Sequence, residues 1–448
     1  MNKDSRTIGA VFGALCVLPA AGLGAPSVAL PQIRADLGVS LGASSWVLAS
    51  YSLAASIGMA LFGRLMERTG IRFILILSSA LLVAGAVLAA FAPSLIVVVA
   101  ARLVLGVAAA GLLISSYASV TVLGEAERPR ALGIISAAVG IGSACGPLIG
   151  GALVAGLGWR WVIISPVASI LVAPFAVRLA AGDRAEARES QEPIDWLGAA
   201  LLTVLGGAVV VLLEARATKL SGTIVIVLAV AALAALGGLL AEARTARHPF
   251  VPPQILRARG FLAACFAGAA SYAGYFALLF ASPLLLAAHG YKSVVIGLFL
   301  LPAVIGSIAA SRIGRAAGHR IGVPMTVAIL GILTLLAVLV TALTNGAPVA
   351  VAIAIAIGIS GFAGSQVVFL AAIAQVVEPA DRATANGLYN FVAFIGGALG
   401  PALVGAFSVR MPLHSALAAS AVLPLIAILI AMLIVLRRHH AAVSTMRI

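Results

Sequence analysis

The stretch GIGSACGPLIGG, from Gly140 to Gly151, lies inside an apolar run that is long enough to form a helix. It contains five glycines and one proline. In a water-exposed helix each glycine costs about 1 kcal/mol relative to alanine, and an interior proline costs about 3 kcal/mol. In lipid the same residues are useful, because small side chains let helices approach closely and neighbouring helices cover the backbone that proline frees. The stretch therefore predicts a tight, bendable contact between membrane helices, with a static packing face as the alternative.

The composition of the whole chain agrees with a membrane protein. Of 448 residues, 62% are hydrophobic and only 9% are charged, whereas soluble domains contain about 25% charged residues. Because a membrane-spanning helix needs about 20 apolar residues, the sequence predicts an all-α polytopic protein with fourteen spans. They lie near residues 7–30, 44–62, 73–92, 95–123, 131–156, 161–177, 196–214, 222–241, 261–287, 293–311, 323–343, 348–376, 384–408 and 413–436.

The distribution of charge predicts the orientation of these spans. The net charge is +14, and with the N-terminus in the cytoplasm 21 of the 28 Lys and Arg residues lie on the cytoplasmic side. The positive-inside rule then predicts that both termini lie in the cytoplasm. We expect the protein to lie in the inner (plasma) membrane of the cell. The basic residues occupy many separate loops without interleaved aromatic residues, so we expect no nucleic-acid partner. No nucleophile, base or metal cluster occurs within the spans, so we expect neither an enzyme nor a metal or cofactor site.

The two halves of the chain resemble each other. A shift of 252 residues pairs Gly38 with Gly290 and Gly70 with Gly322. A shift of 254 pairs the pattern G-x-x-x-G-P-x-x-x-G at residues 142–151 with the same pattern at residues 396–405. We therefore predict six-helix bundles at residues 1–180 and 256–436, joined by a linker at 181–255 with two extra spans and followed by a cytoplasmic tail at 437–448. Parallel six-span repeats are a known transporter architecture, in which the substrate site lies between the halves near the bilayer midplane.

Several motifs carry a family resemblance over essentially the whole chain. They are ALPQIRADLGVSLGASSWVLASYSLA, GRLMERTGIR, AARLVLG, GIGSACGPLIGG followed by GWRW, and IDWLGA. Together they resemble the fourteen-span drug/proton antiporter family of the major facilitator superfamily. The resemblance implies a monomeric exporter of small amphiphilic drugs or antibiotics that works by alternating access and uses the proton gradient. A facilitator or importer of a small metabolite is the alternative, since a fold alone does not determine function.

The resemblance also implies roles for individual residues. GRLMERTGIR corresponds to a gating loop with Gly63, Glu67, Arg68, Gly70 and Arg72, for which a solvated basic loop is the alternative. Arg102 corresponds to an arginine linked to proton transfer, although it lies near enough to the span end for snorkelling to the interface to be the alternative. The hinge motif comprises Gly142, Gly146, Pro147, Gly151, Gly400 and Pro401.

One departure from the family concerns its aspartate on the first span, whose place is taken here by Gly22. No Asp, Glu or His is predicted near a midplane, so the usual proton-binding carboxylate is missing. A pathway that contains Arg102 without a carboxylate is expected to prefer neutral, zwitterionic or anionic amphiphiles. Specificity then depends on apolar walls and a few polar groups. The candidate wall residues are Trp46, Tyr51, Tyr117, Tyr272, Tyr275, Gln366, Asn386, Tyr389 and Asn390.

Overall fold

Helices are the only regular elements among the residues that the computed structural model describes, which are 4–124, 126–180, 195–215, 220–246, 249–258, 260–310, 322–378 and 382–445. Thirteen of them are long and apolar enough to cross a membrane, and a fourteenth is shorter. The membrane helices are α1 (Ser5–Leu37), α2 (Leu41–Met66), α3 (Arg68–Ala90), α4 (Leu95–Ala118), α5 (Arg130–Gly156), α6 (Trp159–Leu179), the shorter α7 (Trp196–Leu212), α8 (Gly222–Thr245), α9 (Phe261–Ala288), α10 (Ser293–Ala310), α11 (Val323–Leu343), α12 (Pro348–Ile373), α13 (Thr384–Phe407) and α14 (Leu413–Leu433). The prediction of an all-helical, fourteen-span protein is confirmed.

The ends of these helices depend on a few local residues. The side chain of Asp4 accepts a hydrogen bond from the Thr7 amide (2.8 Å) and caps the start of α1. Gly38 ends the same helix with a φ of 62°, a left-handed conformation that glycine adopts without steric cost. Fourteen successive crossings place both ends of the chain on one side of the membrane, which we call the terminal side. The other side is called the opposite side.

The backbone repeats between the two halves where the sequence does. Gly38 and Gly290 have φ values of 62° and 84°, and Gly70 and Gly322 have φ values of 78° and 81°. Both pairs are separated by the shift of 252 residues found in the sequence. Because a positive φ strains any side chain that carries a Cβ atom, glycine is needed at the same turn in each half. The internal resemblance is therefore structural as well as sequential.

The connection between α2 and α3 differs from the expected loop. The helix continues through almost all of GRLMERTGIR, and non-helical backbone occurs only at Gly70, with a φ of 78° and a ψ of 164°. The loop residues include Arg, Leu, Met and Glu, which are good helix formers. The polar segment therefore extends the helices on the terminal side, and a single glycine supplies the break.

The glycines of the quoted stretch bring α5 against α1 within the first half. A Cβ atom on Gly146 would lie 2.7 Å from the Ala21 carbonyl oxygen, and Gly142 similarly lies against the backbone of Val17. In the second half Gly400 lies against α9, where a Cβ atom would be 2.8 Å from the Ala277 amide nitrogen. Gly396 lies against Ala269 on the same helix. These glycines therefore form a backbone contact inside each half.

Contacts between the two halves use the next residues of the same motif. Gly151 at the far end of α5 lies against the Ser293 carbonyl at the start of α10. A Cβ atom on Gly405 of α13 would lie 3.1 Å from the Cα atom of Gly42 on α2. Both contacts lie on the opposite side of the membrane. Nearer the terminal side of α5, a Cβ atom on Gly140 would meet no atom within 4 Å. In this conformation the glycine contacts hold the halves together on the opposite side.

The two inserted helices pack outside the repeats. Helix α7 lies against α2 and α13, because Val210 forms a buried cluster with Leu53 and Ala398. Helix α8 packs on α7, where a Cβ atom on Gly238 would lie 3.0 Å from Leu201. Most other large side chains of α8 are exposed, which is typical of a helix that faces lipid. The bundle boundaries at residues 180 and 256 stay a prediction, and residues 181–194 lie outside the described part of the chain.

Candidate functional site

Arg102 is fully buried among α1, α2 and α4. Its Nε atom donates a hydrogen bond to the Val47 carbonyl (2.7 Å), and its Nη1 atom donates to the Gly22 carbonyl (2.8 Å). The guanidinium carbon lies 4.1 Å from the centroid of the Tyr51 ring, a cation–π contact. Arg102 therefore does not snorkel to a surface. Its remaining nitrogen, Nη2, is buried and has no hydrogen-bond partner among the described residues.

Close helix packing accounts for this arrangement. Gly106, one turn after Arg102, lets α4 approach α2 so closely that a Cβ atom there would be 2.5 Å from the Tyr51 carbonyl oxygen. The Tyr51 hydroxyl donates a hydrogen bond to the Pro19 carbonyl on α1 (2.7 Å). Arg102 and Tyr51 thus bind backbone carbonyls of neighbouring helices. The pair joins three helices of the first half at one point.

Gly22 lies where the family resemblance expects an aspartate. A Cβ atom at this position would lie 3.2 Å from the Tyr51 hydroxyl and 3.1 Å from Pro166. The absence of a side chain lets Tyr51 reach α1, and the Gly22 carbonyl accepts a hydrogen bond from Arg102. Because a carbonyl carries only a partial charge, the positive charge of Arg102 is not neutralised by these bonds.

A second group of predicted residues forms an aromatic cluster in the other half. Tyr272 meets Phe362 edge-on with ring centroids 4.6 Å apart, and Tyr275 stacks on Phe362 at 4.7 Å. Phe394 of α13 lies 5.2 Å from Tyr272. Phe362 and Phe394 are not among the predicted wall residues. Phe362 lies between Gly361 and Ala363 on an apolar helix, which is a weak signal for a packed ring.

A third group is a polar contact between α12 and α13. The Tyr389 hydroxyl donates a hydrogen bond to Oε1 of Gln366 (2.7 Å). The Asn390 side chain donates a hydrogen bond to the Asn386 carbonyl of its own helix (2.9 Å). Nε2 of Gln366 and Oδ1 of Asn386 are buried and have no partner among the described residues. A free donor and a free acceptor therefore remain on these two helices.

The structure does not gather the nine candidate wall residues into one site. Tyr51 lies with Arg102, and the second-half residues form the two groups above. Trp46 packs against the α2–α7–α13 cluster, and Tyr117 at the end of α4 is 36% exposed. None of the nine lines the cavity found between α2, α7 and α13, whose walls are Ile57, Ala60, Leu61, Ala199, Leu202, Thr203, Phe250 and Phe391. Their role as substrate contacts stays a prediction.

The predicted gating residues lie at the junction of α2 and α3 on the terminal side. Gly63 packs against α4, where a Cβ atom would be 3.2 Å from Ile114. Arg68 and Arg72 are exposed. The side chain of Glu67 lies outside the described part of the structure, so its expected contact with a helix end stays a prediction. The hinge prolines Pro147 and Pro401 lie inside α5 and α13, and Pro147 is contacted by Gly297 of the other half.

Comparisons with known proteins agree with this architecture. The family model described as Major Facilitator Superfamily matches residues 11–399 and 265–445. The chain is 30% identical over 69% of its length to an uncharacterized MFS-type transporter of Mycobacterium tuberculosis, of which 46% is covered. It is 29% identical over 66% of its length to the multidrug export protein EmrB of Escherichia coli, of which 58% is covered. It is 30% identical over 84% of its length to the cephamycin export protein CmcT of Amycolatopsis lactamdurans, of which 80% is covered.

The extent of these matches is informative. The chain spans about half the length of the first two of these relatives, but most of the third. The family model covers nearly all of the described helices, and the repeated turns and glycine contacts relate the two halves as the internal duplication predicts. The chain therefore belongs to the major facilitator superfamily, whose members are membrane transporters.

Proposed function

We propose that this protein is a secondary exporter of amphiphilic drugs or antibiotics and a member of the fourteen-span drug/proton antiporter branch of its superfamily. The sequence motifs and the fourteen helices support the branch. The names of two relatives, a multidrug export protein and a cephamycin export protein, support the direction and the kind of substrate. The terminal side is then the cytoplasm, the membrane is the plasma membrane, and the protein works as a monomer.

The symmetric contact between the halves is the observation that carries this proposal. Gly151 meets the start of α10, and Gly405 meets the start of α2, at equivalent positions of the repeat. Both contacts close the opposite side, whereas Gly140 lies in open space nearer the terminal side. Helices that meet through glycine and other small residues can separate easily, because no large side chains interdigitate between them. The two bundles can therefore tilt apart here while the α1–α5 and α9–α13 contacts keep each bundle intact.

The polar groups support a substrate that is neutral, zwitterionic or anionic. The first half offers the buried cation Arg102, and the second half offers two atoms without a partner among the described residues, Nε2 of Gln366 and Oδ1 of Asn386. Among the described residues, no acidic side chain lies in the middle of a membrane helix to attract a cation. The stacked rings around Phe362 provide the apolar wall that an amphiphile needs.

The same lack of an interior carboxylate favours a second candidate, a facilitator or importer that uses no proton. An antiporter must bind and release a proton as access alternates, and the described helix centres contain no carboxylate or histidine for that step. The two candidates differ in their response to a proton gradient. An antiporter drives uptake into inside-out vesicles only when the lumen is acidic, whereas a facilitator equilibrates its substrate at any gradient.

The deciding experiment uses the purified full chain in proteoliposomes of known orientation, loaded with a pH-sensitive dye. A panel of fluorescent amphiphiles with negative, zero and positive charge is added with and without an imposed pH gradient. We expect gradient-driven accumulation of the neutral and anionic probes, accompanied by proton movement in the other direction. Flux that does not depend on the pH gradient would refute the exporter and support the facilitator. Exclusive transport of the cationic probes would refute the proposed substrate class.

A further inference from the structure

The two inserted helices carry a pair of carboxyl groups at their terminal-side ends. Asp195 caps α7, and its Oδ1 atom accepts a hydrogen bond from the Gly198 amide (2.8 Å). Glu242 lies in the last turn of α8 and is only 7% exposed, the single buried carboxyl among the described residues. The two groups come from helices that are adjacent in space, so their meeting is a product of the insertion itself.

One backbone amide bridges the two carboxyl groups. The Phe250 N–H donates to Oδ2 of Asp195 (3.0 Å) and to Oε1 of Glu242 (3.2 Å). One donor shared between two acceptors brings the carboxyl groups next to each other. The other oxygen of Glu242, Oε2, is buried and has no hydrogen-bond partner among the described residues. A buried, ionised oxygen in this position would be strongly destabilising.

Among the described residues, no basic side chain is found to donate a hydrogen bond to Asp195 or Glu242. The basic residues on the elements packed around it are Arg244 and Arg257, which are exposed, Arg64 and Arg68, which have interactions of their own, and Arg382, whose side chain is outside the described structure. Arg247 and His248 precede Phe250 and also lie outside the described residues. The hydrogen bonds found at the two carboxyl groups come from backbone amides.

We propose that Asp195 and Glu242 form a proton-binding site in which the two carboxyl groups share one proton at neutral pH. Two adjacent carboxylates cannot both ionise without strong repulsion, and one proton between them removes it. The proton gives Oε2 of Glu242 the hydrogen that it lacks. Asp195 stays ionised, and its pKa is held below the ordinary value: burial raises it, but the hydrogen bonds from the Glu242 carboxyl and from the amides of Gly198, Phe250 and Leu197 outweigh that effect.

The proton site lies beside the junction between the halves, which is the contact of α2 with α13. Phe250, whose amide bridges the pair, is 4% exposed, and its ring lines the cavity between α2, α7 and α13. Helix α2 belongs to the first repeat and α13 to the second. Loss of the shared proton leaves two facing carboxylates at the Phe250 amide, beside the contact of α2 with α13. The inserted helices thereby supply a proton site outside the two repeats.

Infrared spectroscopy of the full chain in lipid nanodiscs tests the proposal without any substrate. The wild-type protein is expected to show a protonated-carboxyl band at pH 7, in a region where ordinary carboxyls are ionised. Both E242Q and D195N should lose this band, because each amide brings an N–H donor and lets the remaining carboxyl ionise. Asparagine also retains the helix cap. The control E378Q changes an exposed glutamate on the same side and should keep the band.

A wild-type protein without a protonated carboxyl at pH 7, or a band that survives in both E242Q and D195N, would overturn the proposal. Thermal unfolding gives an independent measurement. A folded protein that holds a proton which the unfolded chain releases becomes less stable as the pH rises. The wild-type Tm should therefore fall more between about pH 5 and about pH 7 than the Tm of E242Q, because this range lies above the pKa of an unfolded glutamate and below that of the shared site. Equal changes of Tm with pH in the wild type and E242Q would contradict the shared proton. Because this test uses no substrate, its result does not depend on whether the protein proves to be an exporter or a facilitator in the proteoliposome experiment.

Discussion

The glycine contact between α1 and α5 allows a quantitative prediction from two substitutions in the same helix. In G146A the new Cβ atom would lie 2.7 Å from the Ala21 carbonyl oxygen, some 0.7 Å short of the 3.4 Å at which ordinary contact begins. That oxygen belongs to the backbone, so α1 itself must move. In G140A the new Cβ atom meets nothing within 4 Å.

The helix-propensity gain of alanine over glycine is common to both variants. The difference between them therefore isolates the overpacking cost, which is about 1 to 3 kcal/mol for an added methyl group in a well-packed site. We expect G146A to have a free energy of unfolding lower than that of G140A by this amount. G400A in the second half should behave like G146A, because its Cβ atom would lie 2.8 Å from the Ala277 amide nitrogen.

The assay is reversible unfolding of the three variants in mixed detergent micelles, followed by circular dichroism at several protein concentrations. Equal free energies of unfolding for G146A and G140A would show that α1 and α5 are not held at backbone contact, and the reasoning about the quoted stretch would be refuted. A loss in G146A that is absent from G400A would instead show that the two halves do not share this contact.

Three further predictions concern the candidate site, the closed side and the first helix. Lysine at Arg102 cannot form the two-pronged contact with neighbouring carbonyls, so R102K should be less stable and should lose about tenfold or more of its efflux rate in vesicles; lower stability with unchanged efflux would leave Arg102 a purely structural residue. Leucine at Gly151 should separate α5 from α10. A cysteine substituted for the buried Ser45 should therefore react faster with a membrane-impermeant maleimide in the double variant S45C/G151L than in S45C alone. The pKa of Asp4 lies below the ordinary 3.8 because of hydrogen bonds from the Thr7 side chain and amide, so D4A should lower the Tm at neutral pH, and the difference should vanish as the pH falls below the folded pKa; a difference that persists in acid would refute the cap.

Much of the architecture followed from local properties of the chain. Runs of about 20 apolar residues predicted all fourteen spans, because lipid forces every backbone group into helical hydrogen bonds. The sequence repeat pairs Gly70 with Gly322, and both adopt a positive φ. The residue types that carry the glycine contacts were also visible. Their division into contacts within and between halves was not, since it depends on which neighbour each face of α5 meets.

The candidate site was only partly predictable. The sequence predicts functional roles for Tyr51 and Arg102, but their direct contact and the hydrogen bond to the Gly22 carbonyl depend on a backbone approach at Gly106 that has no distinctive sequence pattern. Phe362 was missed because a phenylalanine in an apolar helix carries no signal of function. The GRLMERTGIR segment was expected to be a loop, because its charges mark a membrane boundary but do not prevent a helix from continuing beyond it.

The sequence by itself determined that this chain lies in a membrane, how many times it crosses, and that its halves repeat. These properties arise from hydrophobicity, length and residue identity, which each segment carries independently of the others. The tertiary structure decided where the glycine contacts join the halves, which carbonyls bind Arg102, and that Asp195 meets Glu242 at one amide. Each of these depends on atoms that are far apart along the chain and become neighbours only when the helices pack.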